Sequence, residues 1–393
     1  MKKQVLSALA FCSALGIAQA QTDVTKEYLV NPSFETLKAA DGTTDVTVKT
    51  TLENGLQGWD FSNLKLDGQW FNYQVESEAS GSSTGIPANG IIKPSNGDYY
   101  FFNRKGWANV DGSELKTSTS AALPTGTYYA VIDYKAADWS NNNNASTNGT
   151  TIGIKAESAT QELLGENTAV RRAYSTTNAT DHYMDNAEWD ELGTMFTVTE
   201  PTVVTISLVQ NMKNNGRSDI AWDNLRLYKI EDVDANNPMD VSGLVTTSNN
   251  YAFGGWKIEG GNKFQINTWS KEGETDGSGM TTPFIENWVG SGTNAADATI
   301  SHIVTHLAPG IYEVSGLIRV LNEAGGDTPS GATLYANEGS TNACNGEPCT
   351  NGVYGTYTVK GTVGTDGVLT FGIKVANANF NWVSFKNFKL QYL

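Results

Sequence analysis

Histidine is nearly missing from this chain, with three in 393 residues, and cysteine is equally scarce at three. So few imidazoles leave little for acid–base catalysis near neutral pH or for a His-rich metal centre. Neither His-Glu-x-x-His nor a phosphate-binding Gly-x-x-x-x-Gly-Lys loop occurs, which removes a zinc-peptidase helix and a nucleotide cradle. Positive charge is also short: 26 Lys+Arg face 42 Asp+Glu, for a net charge of −16. A field of that sign repels nucleic acid and anionic membranes, and it disfavours strongly acidic polysaccharides unless cations bridge them. Neutral or weakly charged partners remain. Long apolar runs are lacking too. Val5 to Ile17 is too short to cross a bilayer, and between Met1-Lys-Lys and Ala18-Gln-Ala20 it reads as an export signal (residues 1–20) that leaves Gln21 first. The expected destination is secreted or extracellular, with the periplasm as the other compartment open to it.

What the chain does contain is glycine (40) and aromatics (10 Trp, 16 Tyr, 14 Phe), with only 17% charged residues. This is the profile of twisted sheets joined by polar loops. Leu123-Pro-Thr-Gly-Thr-Tyr-Tyr-Ala-Val-Ile-Asp-Tyr134 is a turn signal followed by period-two alternation, the pattern of a half-buried strand. A second copy, Leu307-Ala-Pro-Gly-Ile-Tyr-Glu-Val-Ser-Gly-Leu-Ile318, lies 184 residues later. That spacing suits two domains better than a solenoid. Flanking segments repeat in the same order, so the chain divides into a first module (21–230), a polar linker (231–240) and a second module (241–393). Thr194 to Val209 reads as one alternating strand, and Val359 to Val375 as a hairpin turned at Gly364-Thr-Asp-Gly367. Thr299 to Leu307 reads as a strand with His302 and His306 on one solvent-facing side. In an oxidising compartment Cys344 and Cys349 are expected to close a small disulfide loop; the alternative is a zinc half-site, for which no second ligand pair lies nearby.

Asn31-Pro-Ser-Phe-Glu35, Gly58-Trp59 and the closing Trp222-Asp-Asn-Leu-Arg-Leu227 together resemble the galactose-binding-like β-sandwich of carbohydrate-binding modules, above all the cellulase-associated ones. The second module resembles the same superfamily through its Gly-Trp, Leu-Ala-Pro-Gly-x-Tyr and final Asn-Phe-Lys-Leu, less specifically. The resemblance implies an all-β protein of two tandem jelly-roll β-sandwiches. It also implies a structural calcium in the first module, with Glu35 and Asp223 as ligands and Asn31 beside them. In the second module Lys386 stands where Asp223 does, so no calcium is expected there.

A sugar presents an apolar C–H face and a rim of hydroxyls, which a flat aromatic flanked by amides and carboxylates can grip. Trp59 and Trp256 follow glycine in both modules and read as packing residues; Trp107 and Trp288, also repeated, read as at least partly core. The remaining candidates for carbohydrate binding are Trp70, Tyr73, Trp139 with Asn141, and Trp189 in the first module, and Gln265, Asn267, Trp269 and Trp382 in the second. The function that fits is non-catalytic capture of a neutral or weakly charged polysaccharide. Two other readings are a structural or adhesive surface protein, and a glycoside-active enzyme using carboxylates among Asp181, Asp185, Glu188, Asp190 and Glu191.

Overall fold

The computed structural model describes residues 20–48, 50–65, 72–78, 93–105, 110–138, 151–170, 189–212, 218–245, 256–260, 264–266, 284–338, 343–350 and 352–393. In the first module the strands are β1 (Gln21–Asp23), β2 (Asn72–Ser77), β3 (Tyr99–Lys105), β4 (Val110–Ser118), β5 (Gly126–Asp138), β6 (Thr151–Glu157), β7 (Gly165–Val170), β8 (Asp190–Val198), β9 (Thr205–Met212) and β10 (Ser218–Ile230). The second module has β11 (Met239–Asp240), β12 (Trp256–Gly260), β13 (Gln265–Ile266), β14 (Ile285–Trp288), β15 (Ala298–Val304) and β16 (Gly310–Leu321). It continues with β17 (Ala332–Glu338), β18 (Ala343–Cys349), β19 (Gly355–Val363), β20 (Leu369–Val375) and β21 (Trp382–Tyr392).

These strands make two antiparallel β-sandwiches with one wiring plan. The first packs the sheet β2-β3-β10-β5-β8, with β1 added to β10, on the sheet β4-β9-β6-β7. The second packs β13-β14-β21-β16-β19, with β11 added to β21, on β12-β15-β20-β17-β18. Equivalent strands therefore occupy equivalent places, and the sequence repeat is a structural one. Along β5 the alternate residues Tyr128, Ala130, Ile132 and Tyr134 point into the core between the sheets. Tyr128 donates its hydroxyl to the Pro124 carbonyl at 2.9 Å, and Tyr312 donates to the Ala308 carbonyl at 2.9 Å, so the repeated motif builds the same corner twice. Both closing strands also bulge at an asparagine with left-handed backbone, Asn224 and Asn387, each at φ 54. Asparagine tolerates that conformation far better than bulky residues do.

Gly58-Trp59 has a local physical cause. Gly58 sits at φ +84, and a Cβ there would lie 2.1 Å from the Val30 carbonyl oxygen. Trp59, thus delivered, stacks on Phe34 at 4.6 Å and donates its indole N–H to the Asn31 carbonyl at 2.9 Å. Gly58→Ala should lower stability by about 3 kcal/mol, read as a reduced urea midpoint at unchanged slope.

The structure corrects several expectations. Thr194 to Val209 is two strands, β8 and β9, broken at Glu200-Pro201 and placed in opposite sheets. The residues expected to form a hairpin at Gly364–Gly367 likewise cross between sheets: β19 pairs with β16, and β20 with β15 and β17. His302 is not at the surface. It is buried, stacked on Phe371 at 5.4 Å and edge-on to Trp256 at 5.1 Å, and desolvation pulls its pKa down to about 3. The disulfide is also absent. Cys344 and Cys349 lie in one extended strand, where five steps separate Cα atoms by roughly 16 Å, too far for a disulfide. Cys349 is a free, buried thiol with its pKa pushed up to about 12 by burial. The export signal, residues 1–19 of it, lies outside the described residues.

The modules share a core. On the outer side of β5 and β8, Tyr129, Val131 and Met195 join the second module's hydrophobic cluster through Val241, Leu244 and Val245. The Met195 sulfur accepts the Ala308 N–H at 3.2 Å and lies 3.8 Å from the Tyr312 hydroxyl. Asn167 donates its amide to the Gly243 and Leu244 carbonyls, both at 3.3 Å. A Cβ on Gly243 would lie 2.5 Å from the Tyr129 hydroxyl, so the contact closes to backbone distance.

Candidate functional site

The outer face of the second module's six-stranded sheet is unlike its inner face. Inward, β14, β21 and β16 present Ile285, Phe385, Val383, Ile318 and Val320, all fully buried. Outward, strand register lines up Gln265, Glu286, Ser384 and Arg319 across four strands. Two residues along, on the same face, Trp288 and Trp382 are direct cross-strand partners.

Each indole is held by a carboxylate. Trp382 donates its N–H to Glu286 at 3.1 Å, and Gln265 donates to the other oxygen of Glu286 at 3.3 Å. Trp288 donates to Glu323 at 2.8 Å, while Asn381 donates to the same Glu323 oxygen at 2.6 Å and accepts the Glu323 N–H at 2.9 Å. Arg319 lies over the Trp382 ring at 4.2 Å and over the Tyr354 ring at 5.0 Å. Tyr354 in turn is 2.6 Å from the Ser384 hydroxyl. Trp288 is 42% exposed and Trp382 half-buried, while Glu286, Ser384 and Arg319 are buried, so two fixed indoles stand over a buried polar row with the exposed Gln265 at its end. The cation under Trp382 and the carboxylates at both N–H groups remove rotational freedom before any ligand arrives.

Two of the second module's sequence candidates, Trp382 and Gln265, thus meet at one carboxylate, Glu286. Trp288 is a correction: it is on the open face, not in the core. Glu286, Arg319, Tyr354 and Glu323 were missed. One signal was present, an arginine interrupting the apolar run of β16, in a strand whose other face is all core.

In the first module the same face is built differently. Gln74, Phe102, Ala221 and Lys135 fill the equivalent register row. Trp189 lies against it, with the Lys135 ammonium 5.4 Å from its ring centre. Its N–H donates to the Lys93 carbonyl at 2.8 Å, and the chain then runs from Lys93 to Asp98 across the sheet. In the strand register Arg104 and Asp219 hold the positions of the tryptophan pair, so among the described residues the pair is not repeated here. Tyr73 is corrected as well: it is buried in the core, edge-on to Phe61 at 5.7 Å. Trp70, Trp139, Asn141, Asn267 and Trp269 lie outside the described residues.

The residues expected to hold calcium instead hold the chain. Glu35 accepts the N–H groups of Asp98 at 3.1 Å and of Tyr99 at 3.0 Å. Asp223 accepts those of Ser95 at 2.9 Å, Asn96 at 3.0 Å and Asn224 at 2.7 Å. The Ser95 hydroxyl lies 2.8 Å from Asp133 and 3.1 Å from Asp223, bridging the two carboxylates. Asn31 is engaged separately, accepting the Thr36 N–H at 2.7 Å. Calcium needs six to eight oxygen ligands turned on one point, whereas these carboxylates face N–H and O–H donors. As arranged, the donor set does not fit the ion. Among the described residues no group of three or more His, Cys, Asp or Glu is placed to hold a metal. Desolvation pushes the Asp223 pKa up to about 7, against the pull of the N–H and hydroxyl donors.

No protein-family model matches the chain, and no curated protein does. Among solved structures, the CBM22-1–CBM22-2 tandem of Paenibacillus barcinonensis Xyn10C is similar at 10% identity, covering 96% of this chain and 99% of that one, with a TM-score of 0.28. TmCBM61 in complex with β-1,4-galactotriose is similar at 14% identity over 51% of this chain and 97% of that one, TM-score 0.29. A Stig cyclase from Fischerella sp. TAU is similar at 16% identity over 52% and 97%, TM-score 0.32. At these scores the site stands on its own residues.

Proposed function

We propose that this protein is an exported, non-catalytic carbohydrate-binding protein whose second module grips a neutral or weakly charged polysaccharide on the Trp288–Trp382 platform. The observation that carries this reading is the cross-strand indole pair, each N–H fixed by a carboxylate, beside the row Gln265, Glu286, Ser384 and Arg319. Rigid indoles supply the stacking surface for a sugar's C–H face, the exposed Gln265 amide supplies a donor and an acceptor, and the buried Glu286, Ser384 and Arg319 hold the indoles in place. Glu286 and Glu323 already accept indole N–H groups, which suits them to orient tryptophans rather than to transfer protons. The strong negative charge sets the preference for uncharged chains. Among the described residues no helix is long and apolar enough to cross a membrane.

Affinity electrophoresis of the whole protein through gels containing neutral or acidic polysaccharides tests the proposal. Retardation by a neutral polysaccharide is expected. It should be lost in a Trp288→Ala, Trp382→Ala double variant and unchanged by chelator, because nothing in the platform depends on a metal. A folded protein that no polysaccharide retards would sink the reading and move the adhesive or spacer role ahead.

A further inference from the structure

We propose a second sugar-binding site in the groove between the two modules, sized for one neutral pyranose unit. It rests on the carbohydrate reading above but uses none of the platform residues. The groove holds about 290 Å³, at the small end of ligand sites, so it admits a ring and not a chain. Trp189, Asp190 and Glu191 form one wall, at the start of β8; Asn387, Phe388 and Lys389 form the other, at the bulge of β21. The chemistry is that of a saccharide subsite. An indole offers the flat apolar surface, the exposed Glu191 carboxylate accepts from a ring hydroxyl, and the exposed Asn387 and Lys389 supply donors opposite.

Two further observations argue that this is a preformed site. The walls cannot drift apart, because the modules are joined just beside it by one hydrophobic cluster and by Asn167 bridging to Gly243 and Leu244. Glu191 is itself oriented, accepting from Arg226 at 2.9 Å, so it meets a ligand with one geometry. Asn387 enters the groove only because the left-handed residue of the bulge turns the chain there.

The test uses the whole protein and calorimetric titration with glucose, galactose, mannose and xylose, in wild type, Trp382→Ala and a Lys389→Ala, Asn387→Gly double variant. Glycine keeps the backbone conformation of residue 387, so the fold is retained, and circular dichroism checks this. The groove predicts monosaccharide binding that survives Trp382→Ala and weakens about tenfold or more in the double variant. Absence of any monosaccharide binding in wild type overturns the groove. So does binding that disappears in Trp382→Ala and is untouched in the double variant, an outcome that leaves the platform standing. Conversely, binding that only the double variant weakens supports the groove even if polysaccharide retardation proves independent of the platform.

Discussion

Trp382→Ala weakens polysaccharide binding by the whole protein by about 30-fold or more, the loss expected when a well-packed aromatic anchor worth about 2 kcal/mol is removed. The effect is larger than a lost stacking surface alone. Without the indole, Glu286 loses one of its donors, and the Arg319 guanidinium loses the ring it lies over at 4.2 Å. Trp382→Phe separates these contributions. A phenyl ring keeps a stacking surface and a seat for Arg319 but cannot donate to Glu286, so its binding should fall between wild type and alanine. The readout is the dissociation constant from gel retardation across polysaccharide concentrations. Equal binding by wild type and Trp382→Ala, with melting curves superimposed, would remove the platform from the account.

Asp223→Asn changes how stability depends on pH. Its carboxyl is fully buried, and desolvation raises its pKa from the ordinary 3.8 to about 7. Between those values the unfolded chain releases the proton while the folded chain retains it, so stability falls as pH rises from about 4 to about 7 and then levels off. The shift is worth on the order of 4 kcal/mol. Asparagine carries no charge to desolvate. The difference between variant and wild type should therefore be small near pH 4 and grow in the variant's favour towards neutral pH. Taking the difference removes the contributions of other carboxylates, such as Glu231, whose pKa is lowered chiefly by the Lys229 hydrogen bond and which titrates in the opposite sense. Urea denaturation across this range is the measurement. A flat difference curve would mean that Asp223 does not titrate there.

Much of the architecture was written in the chain. The Leu-Pro-Thr-Gly-Thr-Tyr-Tyr motif and its repeat announced two equivalent strands, and the structure places β5 and β16 in equivalent sheets with the same tyrosine corner. Gly58-Trp59 and Trp256 packed as expected. What alternation could not say was which partner a strand would take. β19 and β20 are joined by a tight turn between two apolar–polar runs, and the pattern is the same whether such a chain folds back on itself or steps to the opposite sheet. Cys344 and Cys349 misled for a related reason: closeness in sequence is not closeness in space once the segment is extended. His302 misled because a lone histidine in a strand carries no mark of which face it occupies. The platform was half legible. Trp382 stood out as an aromatic in the last strand, but Trp288 recurs at the place of a first-module motif and therefore looked like packing. Its role depends on a cross-strand neighbour nearly a hundred residues away, which no local pattern reports.

The shared core at the junction has a consequence for how the protein comes to exist. Tyr129, Val131 and Met195 are presented by strands of the first module, yet they complete the cluster that contains Val241, Leu244 and Val245. A chain emerging from its N-terminus thus builds a template before the second sandwich is made, and the later half condenses on it. Cutting the chain within 231–240 would leave two sticky faces rather than two tidy halves, each baring apolar surface that its partner normally shields. The pair is best regarded as one cooperative body, in which damage to either sandwich is felt by both.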